Sequence, residues 1–244
     1  MSAEPVPESA VPSSPEPSPP RRERRESTGA DRPLAARIWY RSIKAVTSTL
    51  FAAFGGWRST GWENMPATGG GVLVSNHLSF LDVFILGMGV RRPLNYVARS
   101  TLFLPGLGTF IRSVGGFPIQ REGMGASGMK ETLKRLRNGG VVTLFPEGTR
   151  SENGDLGDLK PGIALLVARA GVPIVPAGLA GTFGAWSRHQ RFPRPHPVRV
   201  HYGPPILPAD LEGLDSRAVT ALIHDRIAEC VEIARQGLAR DLGG

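Results

Sequence analysis

From Gly70 onward the chain alternates short apolar runs with longer amphipathic ones, and no other feature limits its possible folds as much. "GVLVS" (71–75), "LNYVA" (94–98), "GGFPI" (115–119), "VVTLF" (141–145), "VPIVPAGL" (172–179) and "PVRVHYG" (197–203) have the length and residue types of strands. Between them "LDVFILGMG" (81–89), "ASGMKETLKRLRN" (126–138) and "PGIALLVARAG" (161–171) read as helices, the last with Pro at its start and Gly past its end. "SRAVTALIHDRIAECVEIARQ" (216–236) reads as a long terminal helix. This alternation predicts an α/β fold, a mixed and largely parallel sheet flanked by helices.

The segment before the alternation has a different character. Residues 34–57, "LAARIWYRSIKAVTSTLFAAFGGW", start amphipathic and become apolar. Arg37, Arg41 and Lys44 fall at i, i+4 and i+7 and predict one basic stripe, with Ile38, Trp39, Val46, Leu50, Phe51 and Phe54 as apolar surface. The uncharged part, Ala45 to Trp57, is 13 residues long, short of the ~20 that span a bilayer. The expectation for 33–57 is therefore an N-terminal amphipathic helix associating with a membrane surface. Residues 1–32 are built from Pro, Ser, Glu and Arg, have little to bury, and are expected to be disordered. They lack an apolar core after a basic start and so do not read as a signal peptide. That leaves 58–244 as the main domain.

The formal charge of +8 does not come from the tail, where five arginines face six acids. A basic body calls for an anionic partner: a membrane surface, a phosphorylated small molecule or nucleic acid. Cys230 is the single cysteine, which excludes a disulfide framework and a thiolate zinc site and fits a reducing cytosol.

Three stretches carry chemistry. "NHLSFLD" (76–82) follows a strand, opens a helix, and sets His77 five residues before Asp82. On a regular helix that spacing separates the side chains by about 140°. His77 must therefore precede the first turn for the two to meet. A His–Asp pair fixes one imidazole tautomer and leaves the other nitrogen to take a proton. "FPEGTRS" (145–151) follows another strand: Pro and Gly shape a tight loop, Gly148 allows close backbone approach, and Arg150 can grip an oxyanion with two N–H groups. "GGFPIQRE" places Arg121 just past a strand, and Lys160 begins the next helix. Cations at several strand ends suggest a phosphate. Ser79 reads as a cap, Ser151 as a cap or a phosphate contact, and Cys230 as a helix residue. His189, His196 and His201 lie in a Pro/Arg-rich stretch and give no metal-ligand spacing, so no metal or cofactor is expected.

Taken in order, NHLSFLD, GGFPIQR, FPEGTRS and VPIVP resemble the four motifs of the glycerolipid acyltransferase family, which includes 1-acylglycerol-3-phosphate acyltransferases. The likeness covers roughly residues 60–210. It implies that His77 and Asp82 are catalytic, that Arg121, Glu147, Gly148, Thr149 and Arg150 bind the acceptor's phosphate, and that Asn76, Ser79 and Lys160 support them. It implies acyl-CoA or acyl carrier protein as donor and lysophosphatidic acid, or another lyso-lipid, as acceptor. It also implies a peripheral enzyme on the cytoplasmic face of the cell membrane. The chain departs from the pattern at Arg99, where the family commonly carries Lys; charge is kept but donor geometry differs.

Three other classes fit less well. A nonenzymatic lipid-binding protein would have no use for a His–Asp pair. A serine hydrolase of the common α/β type needs G-x-S-x-G, and the nearest string, "GASGM", lacks the final Gly. A nucleic-acid module would interleave aromatics with its basic residues, and three Tyr and four Trp supply too few, so no nucleic acid is expected.

Overall fold

Alternate residues of β2 (Gly71–Ser75) show why this chain needs cover on both sides of a sheet. Val72 and Val74 enter one apolar cluster and Leu73 the opposite one, all fully buried. The computed structural model describes residues 34–119 and 125–243, so the 1–32 tail and Arg121 lie outside the described residues. In chain order the elements are α1 (Leu34–Ala53), β1 (Trp57–Thr60), β2, α2 (Asp82–Gly89), β3 (Leu94–Arg99), α3 (Leu107–Ser113) and β4 (Gly116–Ile119). They continue with α4 (Ala126–Arg137), β5 (Val141–Leu144), α5 (Gly162–Ala170), β6 (Ile174–Ala180), α6 (Thr182–Trp186), β7 (Val198–Tyr202) and α7 (Ser216–Leu242). Among the described residues seven strands form one sheet, ordered β1-β7-β6-β2-β5-β3-β4. β6 and β7 pair antiparallel and every other pair is parallel. The mixed, largely parallel α/β sheet is the one the alternation predicts.

Helices α4, α5 and α7 cover the first face through Met129, Leu133, Ile163, Leu166, Ile223 and Ile227. α7 approaches β6 closely because Gly178 has no side chain: a Cβ there would sit 2.1 Å from the Cys230 carbonyl carbon. α2 covers the second face with Ile85, Leu86 and Met88, against Leu94, Val175 and Leu179. Parallel pairing of β3, β5, β2 and β6 brings their C-terminal ends to one edge. This is where an α/β sheet collects its loops and binding groups.

The sequence reading misses one strand and two short α-helices and shortens another helix, and it runs the N-terminal helix on to 57, where α1 ends at Ala53 and Trp57 opens β1. β1 is a four-residue edge strand, and α3 and α6 are seven and five residues long. α7 runs to Leu242 rather than stopping near 236.

α1 corrects one expectation outright. Lys44 does not share an outward stripe with Arg37 and Arg41. Its Nζ turns inward and donates to the Val90 carbonyl at 2.5 Å, and burial lowers its pKa. Val90 caps the C-terminus of α2, where helix carbonyls lack partners and a cation is favoured. The outward face of α1 is apolar instead: Leu34, Ile38, Trp39, Val46 and Leu50 are all exposed, Leu34 by 70%. Trp39 Nε1 donates to Ser113 Oγ at 3.0 Å, which sets α3 and its exposed Leu107 and Phe110 beside α1. No helix of the described residues is long and apolar enough to cross a membrane.

Candidate active site

β2 ends at Ser75, between β6 and β5, and the next two residues are fastened to both neighbours. Asn76 extends the β6 ladder with its side chain: Nδ2 donates to the Leu179 carbonyl at 3.0 Å, and Oδ1 accepts the Leu179 N–H at 2.8 Å. His77 is strapped to the loop after β5. Its backbone N–H donates to Glu147 Oε1 at 2.8 Å, and its carbonyl accepts the Ser151 N–H at 2.7 Å. The imidazole stacks on Phe145, with ring centroids 3.9 Å apart and planes 14° from parallel. Main chain and ring are both fixed before any substrate arrives.

Asp82 is the first residue of α2, so His77 precedes the helix, as the spacing requires. Asp82 Oδ2 lies 2.8 Å from His77 Nδ1 and also accepts the N–H groups of Leu78 at 2.7 Å and Ser79 at 2.8 Å. The carboxylate is fully buried, while the histidine side chain keeps 19% of its surface. A carboxylate can only accept, so Nδ1 carries the proton toward Asp82 and Nε2 keeps its lone pair. The pair can therefore take a proton at Nε2 while Asp82 stabilises the imidazolium.

Ser79 is fully buried: Oγ donates to the Trp186 carbonyl at 2.6 Å and accepts the Leu81 N–H at 3.1 Å. Its hydroxyl is a bracket between the motif loop and α6, not a free nucleophile. Cys230 is buried as well, its thiol pushed up to about 12 by burial.

The loop after β5 supplies the remaining groups. Gly148 takes φ +73°, a left-handed conformation that closes the turn onto the Phe145 carbonyl at 2.9 Å. Gly148 and Thr149 are exposed, and the Lys160 side chain runs alongside Gly148. Arg150 lies over the Phe80 ring, Cζ 3.6 Å from its centroid, and its Nη1 is shut from solvent with no hydrogen-bond partner. Burial lowers its pKa; the charges of Arg188 and Arg99 act in the same direction and Asp82 in the opposite one. Those influences put Arg188, Arg99 and the Asp82 carboxylate within electrostatic reach of Arg150.

Glu147 behaves differently from a phosphate ligand. Oε1 takes the His77 N–H, and Oε2 takes the Gly157 N–H at 3.0 Å. Burial pushes its pKa up and those N–H bonds pull it back. Both oxygens face backbone donors, so the geometry makes it a brace between loops. Of the residues singled out from sequence, His77, Asp82, Asn76, Ser79, Glu147, Gly148, Thr149, Arg150 and Lys160 come together at one sheet edge; Arg121 lies outside the described residues. Phe145, Phe80 and Arg188 join them unanticipated. Phe145 and Phe80 lie inside the two quoted motifs, and their signal was a large apolar ring in each motif loop.

Comparison with known proteins gives four findings. Residues 57–180 match the model of the family described as Acyltransferase. The chain is 30% identical over 196 residues to the 1-acyl-sn-glycerol-3-phosphate acyltransferase of Bacillus subtilis, covering 78% of this chain and 96% of that one. It is 37% identical over 128 residues to a chloroplastic 1-acyl-sn-glycerol-3-phosphate acyltransferase of Brassica napus, covering 50% of this chain and 36% of that protein. The crystal structure of the 1-acyl-sn-glycerophosphate acyltransferase PlsC from Thermotoga maritima has the same fold, with a TM-score of 0.72 over 82% of this chain and 81% of that one, at 23% identity.

Proposed function

This chain belongs to the acyltransferase family, and from that premise we propose that it moves a fatty acyl chain from a thioester to the free sn-2 hydroxyl of 1-acylglycerol-3-phosphate, giving phosphatidic acid. The acceptor is the one named for the Bacillus relative. The observation that carries the reading is the His77 Nδ1–Asp82 Oδ2 contact of 2.8 Å beside Arg150, whose Nη1 has no hydrogen-bond partner. One group takes a hydroxyl proton and the other receives a phosphate.

In the proposed reaction His77 Nε2 accepts the proton of the acceptor hydroxyl, and the oxygen bonds to the thioester carbonyl carbon. The tetrahedral intermediate collapses, the C–S bond breaks, and the leaving thiolate takes the proton back from His77. The donor is acyl-CoA or acyl carrier protein. Ser79 Oγ is engaged at both ends and the Cys230 thiol is held protonated, which favours direct transfer with both substrates bound together.

Arg150 grips the acceptor's phosphate, with Thr149, Lys160 and Arg121 adding donors. Arg150→Ala is expected to raise the acceptor's KM about 10- to 150-fold, from about 1.5–3 kcal/mol for a charge-assisted contact. The donor's KM should stay near wild type. A panel of lyso-lipids with radiolabelled acyl-CoA tests the assignment. Fastest turnover of an acceptor lacking the phosphomonoester would replace it with another lyso-lipid acyltransferase.

The domain organisation proposed is α1 as a membrane-docking segment on a body running from 58 to 244. Apolar residues on α1's outer face, flanked by Arg37 and Arg41, suit the interface of an anionic bilayer on the cytoplasmic side. Replacing Ile38, Val46 and Leu50 together by Gln leaves the inward Tyr40 and Lys44 untouched. That variant is expected to lose flotation with anionic vesicles. A folded triple variant that floats like wild type would refute the docking.

A further inference from the structure

We propose that Phe80 is a positioning residue for phosphate recognition, holding the Arg150 guanidinium so that its N–H groups face the acceptor. The inference rests on the reading of Arg150 as the phosphate ligand.

Phe80 is half exposed, at 49%, although Leu78, Ser79 and Asp82 around it are buried. Its neighbours hold it there. Ser79 Oγ is fixed between the Trp186 carbonyl and the Leu81 N–H, which fastens the main chain on both sides of Phe80. The Trp186 ring supports Phe80 with centroids 5.7 Å apart and planes tilted by 58°. The ring is thus a rigid shelf beside the His77–Asp82 pair.

Arg150 rests on that shelf. Its Cζ is 3.6 Å from the Phe80 centroid, closer than the 4.5 Å of Arg135 over Phe117 or of Arg91 over Trp62. At that height the guanidinium must lie nearly parallel to the ring, because a C–N bond of ~1.33 Å pointing downward would drive nitrogen into it. A cation held by a ring face gives up no N–H donor. An ion pair would give up two, and the nearby carboxylate of Glu152 already belongs to Arg188 at 3.0 Å. Arg150 therefore keeps its fork while fixed in place, and Nη1 waits buried without an acceptor. One seven-residue motif then supplies the base, its orienting carboxylate and the platform for the phosphate clamp.

The test compares Phe80→Leu, Phe80→Tyr and Arg150→Ala in the full chain, using 1-acylglycerol-3-phosphate and the phosphate-free 1-monoacylglycerol. Phe80→Leu is expected to raise the KM for the phosphorylated acceptor about 2- to 30-fold, the span of cation–π contacts from exposed to desolvated. Donor KM, and kcat/KM with the monoacylglycerol, should stay within about twofold of wild type, and Phe80→Tyr should restore the phosphorylated acceptor's KM. Equal losses with both acceptors, or no rescue by Tyr, would mean that the ring only shapes the motif loop, and the proposal falls. If Arg150→Ala raises the acceptor's KM and Phe80→Leu does not, this inference alone is wrong. If Arg150→Ala changes nothing, the phosphate reading fails and takes the inference with it.

Discussion

His77→Ala is expected to lose at least about 10³ in turnover while the protein stays folded. The upper part of the range for general-base help, roughly 10²–10⁴, applies because no other imidazole lies in the motif loops. Folding should survive because the straps at this position use the main chain: the N–H to Glu147 and the carbonyl to Ser151 remain without the ring. Asp82→Asn should cost nearly as much. An amide oxygen can still accept the Leu78 and Ser79 N–H groups, so the start of α2 is kept. The negative charge that steadies the imidazolium is lost, because the amide oxygen that keeps those N–H groups and faces Nδ1 is neutral. Initial rates on protein checked by circular dichroism decide the matter. A folded His77→Ala enzyme turning over near the wild-type rate would remove His77 from the reaction.

What could be read beforehand follows from how local each cause is. β2 was legible because Val72, Leu73 and Val74 are buried on both faces, which leaves an unbroken apolar run. The meeting of His77 and Asp82 was legible because five residues that bridge a strand end and a helix start leave few arrangements. β1 was not, because an edge strand with Arg58, Ser59 and Thr60 carries no apolar run and exists through its parallel register with β7. Lys44 falls in line with Arg37 and Arg41 on a helical wheel, but the carbonyl that claims it belongs to Val90, 46 residues away. Glu147 was grouped with the phosphate ligands by its motif. The donors that hold it, His77 and Gly157, lie 70 and 10 residues off: the first becomes a neighbour only when β2 and β5 pair, the second only when the loop after β5 folds back.

That difference for Glu147 gives the second large effect. A ligand facing the acceptor and a brace facing the backbone respond differently to substitution. As a brace, Glu147 joins the loop carrying His77 to the loop that returns through Gly157, and it is 5% exposed. Glu147→Gln keeps the shape and removes one acceptor: if the amide oxygen takes the His77 N–H, its NH₂ meets the Gly157 N–H, donor against donor. An N–H left without an acceptor costs about 1–3 kcal/mol, and in a chain of this size each kcal/mol lowers Tm by roughly 2–4 °C. Removing the charge also relieves the burial that pushes this carboxyl's pKa up, which keeps the net loss for Gln toward the small end. Glu147→Ala strands both N–H groups and should melt lower than Gln. In Glu147→Ala kcat is expected to fall, because the His77 main chain loses one of its two straps; Glu147→Gln, with its amide oxygen on the His77 N–H, should lose less, and in both the acceptor's KM moves little. Melting curves and steady-state kinetics on the two variants separate the roles. A raised acceptor KM with Tm and kcat unchanged would return Glu147 to the phosphate site and overturn the brace.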